Sequence, residues 1–76
     1  MMAEHDRIVL MTDMPDHGLL SGDVGTIVHV YHGGRAYEVE FVALDGETAG
    51  IVTVEAKDVR PVARHEMPHV RSLVVA

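Results

Sequence analysis

The chain has 76 residues, of which 47 % are hydrophobic, and a formal net charge of −6 with neutral histidines. That length holds one small domain with one small core. The negative charge argues against nucleic acid, because nonspecific binding to it depends on neutralising phosphates, and the lack of cysteine excludes disulfides and thiolate metal sites.

Residues Asp6 to Met11 (D-R-I-V-L-M) form the first predicted strand. Ahead of it, Met1 to Arg7 lacks the apolar run of a signal peptide. Nowhere does the chain approach the roughly 20 apolar residues that cross a bilayer, so a cytoplasmic protein is expected. A turn-rich stretch, Thr12 to Gly22, follows the strand. Its Pro15-Asp16-His17-Gly18 favours a turn with glycine at positive φ, and a loop this long in a small domain is a candidate binding loop.

Val24 to Tyr31 (V-G-T-I-V-H-V-Y) is rich in β-formers, with Gly25 marking a bulge or a close backbone approach. His32-Gly33-Gly34-Arg35 reads as a hairpin turn. It leads into Ala36 to Val42, where Tyr37, Val39 and Phe41 alternate with Glu38 and Glu40. Asp45-Gly46 makes another turn before a strand at Ile51 to Val54, with Thr48 to Gly50 leading in. A single 3₁₀-like turn over Glu55 to Val59 precedes a last short strand at Val59 to Val62. No helical period persists for three turns.

These elements predict an all-β fold, a small five-stranded closed barrel over residues 1–62, closure removing the exposed sheet edges. Residues 63–76 form a C-terminal tail, polar through His69 and apolar from Leu73 to Ala76. It is expected to be disordered or to add an edge strand here or on a neighbouring copy, which would make a homo-oligomer.

The run Gly22-Asp23-Val24-Gly25-Thr26-Ile27 resembles the opening shared by KOW-type and other SH3-like barrels. Together with Asp13 to Leu19, Ala36 to Phe41, Gly46 to Val54 and the end at Val59-Arg60-Pro61, it resembles a bacterial family of short proteins that share a domain of unknown function. That family is similar to the SH3-like domain of the nitrile hydratase β subunit. The resemblance implies the barrel but not the enzyme's chemistry, since the metal of that enzyme sits on a cysteine-rich loop of its other subunit. The family brings no agreed catalytic residues.

The residues themselves offer no active site. Ser21 stands beside a turn glycine and Ser72 in the tail, neither in a triad-like setting. The six histidines show no compact ligand pattern and read as surface groups, so neither metal nor cofactor is expected. The six positive side chains are scattered, which fails the basic-patch requirement of an RNA-binding domain. Tyr31, Tyr37 and Phe41 are read as core or barrel-closing residues. What stands out is acidic: Asp13, Asp16 and Asp23 around the first loop with His17 among them, and Glu38 and Glu40 on the hairpin strand. They make a candidate face for a basic protein. The expected role is a non-enzymatic protein-binding module, an acidic neutraliser of the immunity or antitoxin kind; the alternative is an accessory subunit of a nitrile-hydratase-related metalloenzyme.

Overall fold

In the computed structural model, residues 2–73 are described and fold into five strands: β1 (Arg7–Leu10), β2 (Val24–Tyr31), β3 (Ala36–Val42), β4 (Thr48–Glu55) and β5 (Val59–Pro61). They form one antiparallel sheet in the order β4-β3-β2-β1-β5. Short 3₁₀ turns occupy Pro15–His17 and Ala56–Asp58. No helix among the described residues is long and apolar enough to cross a membrane.

The alternation along β3 decides which face is the core. Tyr37, Val39 and Phe41 are buried, as are their neighbours Ile27 on β2 and Val52 and Val54 on β4. Ile8 and Leu10 from β1 and Val59 from β5 join the same cluster. Both ends of the sheet thus feed one aliphatic core, and the sheet wraps around it. Gly25 is a close approach: a Cβ there would lie 2.5 Å from Val39 Cγ1. The bulge falls two residues later, where the β2–β3 register shifts between Ile27 and His29.

The all-β, five-stranded fold agrees with the sequence reading, and β2, β3 and the 3₁₀ turn before β5 fall where expected. Closure does not. Among the described residues β4 pairs with β3 alone and β5 with β1 alone, so both keep an open edge. β5 is three residues long and ends in Pro61, which has no N–H to offer a further strand. β1 is shorter than predicted, although the Met11 N–H still donates to the Asp58 carbonyl, 2.7 Å, the next position in its register with β5. β4 is longer, since Thr48 and Gly50 continue its pairing with Val42 and Phe41 across a register shift.

Residues 63–73 carry no strand. The tail expected to be disordered or to add an edge strand spans residues 63–76, of which 74–76 lie outside the described residues.

Candidate binding surface

The first loop is held at three points. Leu19 carries it into the core, 2 % exposed, and Met14 and Leu19 exchange backbone hydrogen bonds of 2.9 and 3.1 Å. At its base, the Leu10 N–H donates to the Asp23 carbonyl, 2.8 Å, and the Gly22 N–H donates to the Leu10 carbonyl, 2.7 Å. The Asp13 carboxylate accepts from the Ser21 N–H at 2.8 Å. The loop is therefore built rather than loose, and its acidic residues have different tasks. Asp16, at the 3₁₀ turn beside His17, is exposed and projects from the loop.

Asp23 has a partner that sequence reading missed. Arg71, 48 positions away in the tail, donates through Nε to Asp23 Oδ1 at 2.8 Å and through Nη2 to Oδ2 at 2.5 Å. Arg71 Nη2 also reaches the Gly18 carbonyl at 3.2 Å. The Leu20 N–H donates to the same Asp23 Oδ2 at 2.9 Å. Partial burial pulls the Asp23 carboxyl upward, but the Arg71 hydrogen bond, the Leu20 N–H and the Arg71 charge together carry it below its ordinary value. Arg71 lines a small open pocket together with Pro15, Gly18 and Leu20. No local periodicity pairs residues 23 and 71; the only sequence signal was a lone arginine between the polar and apolar parts of the tail.

A second clasp holds the start of the tail. Arg60 donates to both carboxylate oxygens of Glu66, at 2.8 and 2.6 Å, and the Ala63 N–H donates to the same carboxylate. The Arg60 hydrogen bond, then the Ala63 N–H, push the Glu66 carboxyl down to about 2. A depressed acid contributes stability above its ordinary 4.5, and that contribution is lost as pH falls through about 2. Carbon-detected NMR should therefore place the Glu66 midpoint near 2, and Arg60→Ala should return it towards 4.5. A midpoint near 4.5 in the unaltered chain would mean that the clasp does not form in solution.

Glu38 and Glu40 lie on the outer face of the sheet, apart from the loop. Glu38 accepts from Thr53 Oγ1 at 2.8 Å and from the Tyr31 hydroxyl at 3.1 Å, while Glu40 accepts from Thr48 Oγ1 at 2.8 Å. The bond to Glu38 comes first in raising the Tyr31 hydroxyl pKa. Tyr31 is thus an outer-face residue, whereas Tyr37 and Phe41 are core. His29 packs edge-on against Tyr31, ring centres 4.6 Å apart, with Glu4 4.0 Å from its Nδ1. Among the described residues, no hydrogen bond or ion pair joins Glu38 or Glu40 to the loop carboxylates, and no three His, Asp or Glu side chains converge to hold a metal.

Residues 4–61 match the model of a family described as Domain of unknown function (DUF4926). No curated protein and no solved structure matches the chain.

Proposed function

Because the chain belongs to the family described as Domain of unknown function (DUF4926), whose description names no activity, we propose a function from the loop: a non-enzymatic, cytoplasmic module that binds a basic protein. The observation that carries this reading is the Asp23 carboxylate, pre-oriented by the Leu20 N–H and already gripping a guanidinium with both oxygens. Bidentate arginine–carboxylate pairs combine charge with direction, which is what recognition of a cationic surface requires. Asp16 adds an exposed charge on the same loop, and the net charge of −6 favours encounter with a positive partner. A neutralising role, in which the small acidic chain covers a functional basic surface, fits this chemistry.

The test uses the tagged full chain on native lysate at low and then high salt, with retained proteins identified and their affinities measured. A basic partner should be held at low salt, released at high salt, and bound roughly tenfold more weakly by Asp16→Lys, a change of about 1.4 kcal/mol. Asp16 is the residue to reverse, because Asp13 and Asp23 also hold the loop together. Affinity indifferent to salt and to Asp16→Lys would sink the reading. An enzyme subunit retained regardless of salt would point instead to the accessory role.

A further inference from the structure

The tail does more than lie on the domain. Arg71 spans from a segment beyond β5 to the base of the first loop and meets three acceptors at once, both Asp23 oxygens and the Gly18 carbonyl. Beside these acceptors, Arg71 lines a small open pocket with Pro15, Gly18 and Leu20. Each acceptor is fixed independently of Arg71. The Leu20 N–H orients the Asp23 carboxylate, backbone bonds from Leu10 and Gly22 fix the loop base, and the Gly18 N–H donates to the Pro15 carbonyl at 3.1 Å. Two adjacent guanidinium nitrogens serve three oxygens, a fork that a lysine ammonium cannot reproduce.

We propose that the acceptor set of Asp23 and the Gly18 carbonyl is an arginine-recognition site which the chain occupies in cis, so that the C-terminal segment acts as an autoinhibitory strap and must yield Asp23 before a partner's arginine can bind. The proposal rests on the reading of the loop as a surface for a basic partner and adds what that partner must present: an arginine reaching those acceptors. The tail has the means to compete. Residues 62–70 link the domain to Arg71 as a short tether, and an intramolecular ligand on such a tether acts at an effective concentration on the order of millimolar. The clasp of Arg60 on Glu66 shortens that tether by fixing its first residues against β5. The outermost contacts are few: Val70, immediately before Arg71, is 73 % exposed. The strap can therefore lift without disturbing the core.

The experiment compares the full chain with its Arg71→Ala variant, each titrated with the peptide acetyl-Gly-Arg-Gly-amide and with its lysine counterpart. The backbone amide signals of Gly18, Leu20 and Asp23 are the readout. Arg71→Ala should respond saturably to the arginine peptide at a concentration about tenfold below that needed by the unaltered chain. The lysine peptide should be the weaker ligand, and Asp23→Asn added to Arg71→Ala should abolish the response while the β2–β3 signals stay in place. Equal response of the two chains would overturn the strap, and no response of Arg71→Ala would overturn the site. These outcomes are separable from failure of the broader reading. That reading falls when no salt-sensitive basic partner exists, whatever the peptides do, and the strap falls on the peptides even where such a partner is found.

Discussion

Replacing Leu10 by alanine is expected to remove about 3 kcal/mol of stability, the middle of the 2–5 kcal/mol range for buried leucine truncations. Domains of this size hold roughly 4–11 kcal/mol at the usual stability per residue, so the loss is a large share of the total. Leu10 is fully buried, and three parts of the molecule meet at it. Its side chain belongs to the common core, its Cα pairs with Val59 of β5, and its N–H and carbonyl fasten Asp23 and Gly22 at the base of the first loop. β1 is only four residues long and carries pairing on both sides. Little around it can collapse to fill the space without disturbing the pairing on either side. Urea denaturation followed by circular dichroism should show the midpoint fall sharply with an unchanged slope. A loss below about 1 kcal/mol would mean that the site collapses far better than a packed core allows.

The same residue shows what sequence could and could not reveal. Its strand was legible, because Ile8-Val9-Leu10 is a run of β-formers beside a turn-rich stretch. The hairpin of β2 and β3 was legible to the residue, because alternation in Tyr37 to Phe41 and the double glycine at positions 33 and 34 fix both the period and the turn. Closure was misjudged because it depends on how strands distant in sequence meet, which no local pattern reports; only Pro61 in the last strand hinted at an unpaired edge. The acidic residues were legible as charge but not as roles. Asp13 and Asp16 look alike in sequence, yet one holds the Ser21 N–H and the other is exposed. Glu38 and Glu40 seemed continuous with the loop charges, but they face threonines across the sheet instead. Arg71 was invisible as a partner because 48 residues separate it from Asp23, and ion pairs across such distances leave no periodic trace.

Gly25→Ala is expected to destabilise the chain by about 2 kcal/mol, the cost of overpacking a filled core. Two effects oppose each other. Alanine restricts the unfolded chain, which by itself would stabilise by about 0.4–1 kcal/mol. Against that, the new Cβ would stand 2.5 Å from Val39 Cγ1, 3.0 Å from the Glu40 carbonyl oxygen and 3.0 Å from Phe41 Cδ1. The Val39 methyl can turn, but the Glu40 oxygen is backbone within the β2–β3 ladder and cannot give way without disturbing pairing. The steric effect therefore wins. Val39→Ala combined with Gly25→Ala should cost less than the sum of the two single changes, since it removes the nearest clash, and thermal or urea unfolding of all three variants measures that coupling. A stabilised Gly25→Ala variant would show that the strands are free to move apart. The result bears on function because Gly25 sits inside Gly22-Asp23-Val24-Gly25-Thr26, the most distinctive run in the sequence. Gly22 takes φ 98° and donates to Leu10, Gly25 admits β3, and Thr26 pairs with both Arg7 and Glu40. Those three positions serve the fold, and Asp23, which also holds the loop through the Leu20 N–H, is the one that turns a carboxylate toward a cation. A motif so distinctive therefore marks the architecture that presents one acidic side chain, and specificity for a partner has to come from what surrounds that side chain: Asp16, the pocket at Pro15 and Leu20, and the tail whose Arg71 closes one side of it.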